Sequence, residues 1–191
     1  MKRDNSAKGK EPGRFLVLLT VLLVLGGLGA LWGCQAKEPP LSPAAATFKR
    51  DLKGSLAELA QRLGEPVKSG DVQAIQQVLQ AHTPESLKMC RLCPFAVAVL
   101  DLDGATMAVY PPQEHSKNYS QYQVVAKALR EGRTGQAKLF LPDGAQLYVI
   151  CTPLLEGERN HGVLVFMARA VEVQARYGIS DEEFLAVDFN S

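Results

Sequence analysis

The stretch Phe95-Ala-Val-Ala-Val-Leu-Asp-Leu-Asp-Gly-Ala-Thr-Met-Ala-Val-Tyr110 decides the fold of this chain. It predicts two strands joined by a turn at Asp101-Leu-Asp-Gly104. The first strand is apolar at nearly every position and rich in Val, which is typical of a central strand covered on both faces. Gly tolerates a positive φ and Asp accepts hydrogen bonds from nearby backbone, so Asp103-Gly104 between two apolar runs indicates a hairpin. We expect the core to form around it.

The composition sets the class of protein. The chain has 191 residues, of which 47% are hydrophobic, and a formal net charge of +1. This length and apolar content fit one soluble domain with an attachment segment. Because a nearly neutral chain lacks the basic excess of nucleic-acid-binding proteins, we expect no nucleic-acid partner.

Residues 1–33 have the pattern of a signal or membrane-anchor segment. Five basic residues precede an uncharged apolar run at 15–33, namely Lys2, Arg3, Lys8, Lys10 and Arg14. At about 1.5 Å per residue this run is just long enough to cross a bilayer of roughly 30 Å as a transmembrane helix. Its basic flank would then stay in the cytoplasm.

The end of that run, Leu31-Trp32-Gly33-Cys34, resembles the signal peptide of bacterial lipoproteins. That signal has an aliphatic residue, a variable one, a small one and then Cys. The resemblance implies cleavage before Cys34, which becomes the lipidated first residue; the alternative is an uncleaved span. Both possibilities place the remaining chain at the membrane, on the extracytoplasmic (periplasmic) side of the cell envelope.

Residues 34–46 are predicted to be a linker and residues 47–191 a domain. Three prolines close together, the last being Pro43, favour an extended spacer. An apolar stripe from Phe48 to Leu63 then predicts an amphipathic helix that ends at Gly64-Glu65-Pro66. A second helix follows Ser69-Gly70-Asp71, with its glutamines facing outward and four apolar residues facing inward, namely Val72, Ile75, Val78 and Leu79.

The chain after Tyr110 predicts a loop, a helix and three more strands. Residues 111–119 are a polar loop, and a helical stripe begins at Tyr122 and stops at Gly132. Pro142-Asp143-Gly144 separates two apolar runs as a second hairpin, and Val163 to Ala168 is a fully apolar last strand. The predicted class is therefore α+β, with a five-stranded antiparallel sheet, helices ahead of it and one helix between strands two and three.

This order of elements resembles the PAS-like fold and, in an extracytoplasmic setting, a single Cache domain. The resemblance rests on Val97 to Gly104, Tyr110-Pro111, the helix running into Gly132-Arg-Thr-Gly135, Asp143-Gly144, Tyr148 to Pro153, and Gly162-Val-Leu164. It implies a sensor that binds a small molecule, often an amino acid or a carboxylate, between the sheet and the loop and helix after strand two. The arginine- and tryptophan-bearing signature of the amino-acid-binding members is absent. After Met167 we expect a short charged tail and no second membrane span, so the signal would pass to a partner membrane protein.

Three cysteines remain beyond Cys34. Cys90 and Cys93 have the CxxC spacing of redox and metal sites, but no His follows Cys93 and no second CxxC occurs. A structural disulfide between them is the main hypothesis, with a thiol redox or metal-binding protein as the alternative function. Cys151 is expected to be a buried free thiol, because its strand runs parallel to strand one and lies away from Cys93.

No pattern predicts catalysis, a cofactor or a metal site, and Asp101 and Asp103 are interpreted as turn residues. The expected ligand site is formed by aromatic and hydroxyl side chains beside the sheet, namely Tyr110, Tyr119, Tyr122, Tyr148 and Thr152. The last two, with Ile150, share one strand face, which we expect to look toward the helix. Lys117 or Arg133 would add a positive charge. The alternative is a structural interaction protein in which these tyrosines fill the core.

Overall fold

The computed structural model describes residues 40–86, 95–112 and 117–191, so Cys34, Cys90, Cys93 and the N-terminal apolar run lie outside the described residues. Residues 41–191 form one compact unit. The described elements are α1 (Pro43–Ser69), α2 (Val72–Ser86), β1 (Phe95–Leu100), β2 (Thr106–Tyr110), α3 (Gln123–Glu131), β3 (Gly135–Phe140), β4 (Gln146–Glu156), β5 (Arg159–Arg169), α4 (Ala170–Tyr177) and α5 (Asp181–Ala186). In these ranges no helix is long and apolar enough to span a bilayer.

Helix α1 is longer at both ends than the sequence predicts. It starts at Pro43, inside the expected linker, because proline is tolerated at the first helical position and the Ser42 side chain accepts a hydrogen bond from the Ala45 N–H (3.1 Å). The expected stop at Pro66 is wrong: the helix continues through it to Ser69. Proline removes one helical hydrogen bond, but burial of Val67 and the left-handed cap at Gly70 (φ 70°) hold the last turn in place.

Helix α2 buries Ile75 and Leu79 as predicted, but two other expectations for it are wrong. Val72 is the first helical residue and is 48% exposed. Gln76 points inward, where its side-chain amide donates to the Val109 carbonyl (3.1 Å) and accepts from the Val109 N–H (3.4 Å). It therefore covers part of the outer edge of β2.

The sheet has the predicted five antiparallel strands, in the order β2-β1-β5-β4-β3. The two predicted strands of the Phe95 stretch pair as a hairpin, with Val97 opposite Tyr110, and β1 pairs on its other side with β5. Since β1 and β4 both run antiparallel to β5, they are parallel to each other. Cys151, on β4, is a buried free thiol as expected.

The sheet is the middle layer between two separate cores. One face packs against α1, α2, α4 and α5, through residues such as Val97, Val99, Ile150, Leu164 and Phe166. The other face packs against α3 through Ala98, Leu100, Val149, Cys151, Val163 and Val165. We call these the inner face and the pocket face. Strand β1 is therefore covered on both faces, which confirms the prediction from its continuous apolar sequence.

The chain after Met167 folds into two helices instead of the expected tail. Tyr148 reaches them from β4: its hydroxyl donates to Asp181 (2.6 Å) and accepts from Gln174 (2.8 Å), while Lys138 of β3 pairs with the same aspartate. Phe184 stacks on the Tyr148 ring at 3.9 Å. These contacts fasten the C-terminal helices to the inner face.

The end of the chain also contacts the edge of the sheet next to β3. The Thr134 N–H donates to the Asn190 side chain (2.8 Å), whose amide nitrogen donates back to the Thr134 carbonyl (3.0 Å). Ser191 meanwhile accepts hydrogen bonds from Lys49 and Lys53 of α1. The segment after α5 therefore joins α1 to the start of β3.

Two glycine substitutions should change stability in opposite directions. A Cβ on Gly162 would lie 2.4 Å from the Leu100 carbonyl oxygen, which is backbone and cannot move aside cheaply. We expect Gly162→Ala to destabilise the fold by about 2 kcal/mol or more. Gly54, in the exposed middle of α1, has nothing within 4 Å of a Cβ, so Gly54→Ala should stabilise by about 0.5–1 kcal/mol. Urea unfolding measures both; equal effects would contradict the close approach at Gly162.

Asp181 should make stability depend on pH in the acid range. Hydrogen bonds from Lys138 and Tyr148 lower the pKa of its carboxyl group. A carboxylate with a lowered folded-state pKa stabilises fully above its ordinary value of about 3.9, and the stabilisation is lost as pH falls through the lowered value. We expect Asp181→Asn to flatten the fall in unfolding free energy below about pH 5. The control Asp143→Asn, in the exposed β3–β4 turn, should keep the full acid slope.

Candidate ligand-binding site

The turn after β1 supports the candidate site. The Asp101 carboxylate accepts hydrogen bonds from the N–H groups of Asp103 (2.9 Å) and Ala105 (2.8 Å), which confirms its role in the turn. Gly104 has φ 76°, and a Cβ there would lie 2.7 Å from the Ser120 nitrogen. The turn therefore needs glycine both for its backbone angle and for the close approach of the next loop. Among the described residues, no group of three His, Cys, Asp or Glu side chains could hold a metal ion.

The loop before α3 is fixed to this turn by hydrogen bonds. The Thr106 N–H and hydroxyl both donate to the Lys117 carbonyl (2.9 and 2.7 Å), and the Tyr119 N–H donates to the Gly104 carbonyl (2.8 Å). The Asn118 side chain donates to the Asp103 carbonyl (3.1 Å). Residues 117–122 thus hold a defined position over the pocket face.

A cavity of about 450 Å³ lies between this loop, α3 and the pocket face. Its apolar floor comes from β4 and β5, through Leu147, Val149, Val165 and Met167, and its wall from Val124 and Val125 of α3. Tyr119 and Tyr122 also line it, with ring centroids 5.9 Å apart. An apolar cavity of this size with a few polar groups has the composition of a small-molecule site.

The charged groups that line the cavity are positive. Lys117 and Arg169 line it, neither forms an ion pair with a described residue, and none of the described lining residues is acidic. Burial raises the pKa of the Tyr119 hydroxyl, so this group stays neutral and able to donate a hydrogen bond at physiological pH. The arrangement suits a ligand with a negative group and an apolar body.

Only part of the predicted set of site residues comes together here. Tyr119 and Tyr122 line the cavity, whereas Tyr110 and Tyr148 pack against the inner-face core. Thr152 is half-buried and falls on the Tyr148 side of β4 by alternation. The expectation that this side of β4 looks toward α3 is therefore wrong; it packs against α1 and the C-terminal helices. Lys117 lines the cavity, but Arg133 does not.

Sequence analysis missed several residues that line the cavity, and those on β4 lie one position away from the predicted site residue Tyr148. Leu147 and Val149 alternate with Tyr148, and Arg169 follows Val165 and Met167 at period two on β5. The period groups these side chains correctly on a face. Arg169 lies two residues after Met167 on β5, and this spacing was the signal that could have placed its positive charge on the pocket face.

The thiol on the pocket face is chemically inert. Burial raises the pKa of Cys151 to about 12. Because the thiolate is the reactive form, this cysteine remains a protonated core residue near neutral pH.

A second cavity, of about 460 Å³, lies between α1 and the ends of β4 and β5. Its charged groups already pair with each other: Lys68 lies 2.8 Å from Glu156 and 3.8 Å from Glu65. It therefore offers a ligand less unpaired charge than the pocket-face cavity.

No protein-family model and no curated protein matches this sequence. Solved structures do match. A domain of a sensory box/GGDEF family protein from Vibrio parahaemolyticus superposes with a TM-score of 0.57 at 10% identity, over 73% of this chain and 60% of that one. The sensor domain of the V. cholerae histidine kinase DctB gives 0.50 at 14% identity, over 87% and 62%. The fold is PAS/Cache-like.

A third structure with this PAS/Cache-like fold is the extracellular domain of the histidine kinase vpHK1S-Z8, with a TM-score of 0.57 at 11% identity, over 73% of this chain and 57% of that one. The present chain thus spans about 60% of the length of the structures it matches. At such low identity the likeness establishes the fold. It also confirms the fold class expected from the order of strands and turns.

Proposed function

We propose that this chain is a membrane-attached, extracytoplasmic sensory module that binds a small anionic molecule in the pocket-face cavity. The observation that carries the proposal is the pairing of an apolar floor with two cations, Lys117 and Arg169, that no described acidic group neutralises. The sensor domains among the similar structures support a sensory role. The module performs no chemistry of its own and passes its signal to a partner membrane protein.

The chemical division of the cavity suggests how a ligand is oriented. A carboxylate would lie toward Lys117 and Arg169, where charge-assisted hydrogen bonds are stronger than neutral ones. An apolar body would lie on Val149 and Met167, and the hydroxyls of Tyr119 and Tyr122 would fix its rotation. We therefore propose a small carboxylate or amino acid as the ligand class.

The test compares three variants that remove the same charge. Arg169→Gln and Lys117→Gln should each weaken binding of the best compound from a panel of amino acids, carboxylates and nucleobases by about fivefold, since one charge-assisted hydrogen bond at a partly exposed site contributes roughly 1 kcal/mol. Arg133→Gln, whose side chain lies outside the cavity lining, should bind like the parent. Thermal shift finds the compound and calorimetry measures the affinities.

The result that would reject the binding proposal is equally clear. A ligand that binds the folded protein raises its melting temperature, so a panel in which no compound does so contains no ligand for this protein. If all three variants bind alike, the site lies elsewhere. The first outcome makes the structural interaction protein the better interpretation, whereas the second rejects the assignment of the site.

The attachment to the membrane is the second part of the proposal. Cys34 lies outside the described residues, and its sequence context supports cleavage before it and acylation of its thiol and amine. Intact mass spectrometry of the protein expressed in bacteria should then give a chain that starts at Cys34 with added lipid mass. A protein that retains Met1 without lipid would favour the uncleaved span, and Cys34→Ser should convert one outcome into the other.

Cys90 and Cys93 are also outside the described residues. Their spacing in an oxidising compartment supports a structural disulfide, which is proposed here in preference to a redox or metal site.

A further inference from the structure

The tip of the β4–β5 hairpin, residues 155–162, contacts helices on both faces of the sheet. The β4–β5 ladder is irregular between Pro153 and Leu155. Beyond this bulge two residue pairs remain in the ladder, Leu155 with Asn160 and Glu156 with Arg159. Strand pairing therefore holds the tip weakly, and its position depends on contacts with the helices on either side.

On the pocket-face side the tip holds the end of α3. The Asn160 amide nitrogen donates to the carbonyls of Ala128 (3.3 Å) and Leu129 (3.2 Å). Both carbonyls lie in the last helical turn, and that of Ala128 also accepts a hydrogen bond from the Gly132 N–H (3.2 Å). Asn160 thus fixes the end of the helix whose first half lines the cavity.

On the inner-face side the same tip holds the end of α1. Glu156 pairs with Lys68 at 2.8 Å, and a Cβ on Gly162 would lie 3.4 Å from the Val67 side chain. Within the tip, the Gly162 N–H donates to the Asn160 side-chain oxygen (3.1 Å). The tip thus contacts the end of α3 through Asn160 and the last turn of α1 through the exposed Glu156–Lys68 ion pair, while the Asn160–Gly162 hydrogen bond lies within the tip.

We propose that the hairpin tip couples the end of α3 to the end of α1, so that a shift of α3 on ligand binding reaches α1 on the opposite side of the sheet. Asn160 is the positioning residue. This inference extends the proposed function, but the coupling is a property of the unliganded chain. It can therefore be tested without a ligand, and its failure is distinguishable from failure of the binding proposal.

Hydrogen exchange measured by mass spectrometry on the purified protein tests the coupling in both directions, because energetic coupling between two sites is reciprocal. Asn160→Ala should raise exchange about fivefold at the end of α3, which it touches. It should also raise exchange about twofold in residues 66–70 of α1. Lys68→Met, on the other helix, should raise exchange about twofold at residues 129–132, which Lys68 does not touch.

Gln136→Ala is the matched control. Gln136 also donates its amide nitrogen to two carbonyls at the end of a helix, those of Leu185 in the last turn of α5 and of Val187 just after it. Its loss should raise exchange around α5 and leave residues 66–70 unchanged.

The proposal is overturned if Asn160→Ala affects only α3 and the hairpin, or if Gln136→Ala loosens α1 equally, which would indicate global destabilisation. Should Asn160→Ala not fold, the Lys68→Met arm decides: unchanged exchange at residues 129–132 rejects the coupling.

Discussion

The structure depends on the burial of one sheet on both faces. Side chains of the inner strands β1, β5 and β4 alternate between the two cores, one on each face of the sheet. The two covering layers are unequal. Helix α1, with 27 residues, is about 40 Å long and matches the 11-residue β4 at about 37 Å, whereas the nine-residue α3 is only about 14 Å long. On the α3 side the helix is too short to cover the strands, and a cavity of about 450 Å³ lies there; on the other side a second cavity lies between α1 and the ends of β4 and β5.

The difference in length between α1 and α3 explains why the candidate site combines a rigid floor with a charged rim. Its floor consists of residues on strands β4 and β5 of the sheet, and its loop is tied to the Asp101 turn by backbone hydrogen bonds. Its cations, by contrast, stand at the rim, where Lys117 and Arg169 remain exposed. Burying a charge without a partner is costly, so a rim position lets both residues stay hydrated until an anion arrives.

The turns and the end of α3 were predictable from the sequence, because they depend on local chemistry. Asp103-Gly104 and Asp143-Gly144 predicted both hairpins, and Gly132 predicted the end of α3. The orientation of β4 was not predictable in this way. Leu147, Val149 and Cys151 are as apolar as Tyr148 and Ile150, so alternation groups them without telling which group faces which helix. That choice depends on two distant partners of the Tyr148 hydroxyl, namely Asp181 and Gln174, which lie in the C-terminal helices that the sequence analysis did not predict. The continuation of α1 through Pro66 likewise depends on tertiary burial of Val67.

Both edges of the sheet have a side-chain amide that bonds the N–H and the C=O of a single residue. Gln76 does so at Val109 on β2, and Asn190 does so at Thr134 where β3 begins. An amide in this arrangement imitates the peptide group of one further strand. An incoming strand from another molecule would have to displace it before pairing there, since open edges are the usual templates for such growth. Each amide thus occupies the backbone groups of one residue at an edge, which hinders strand addition there in a protein that the proposed lipid anchor would concentrate on a membrane surface.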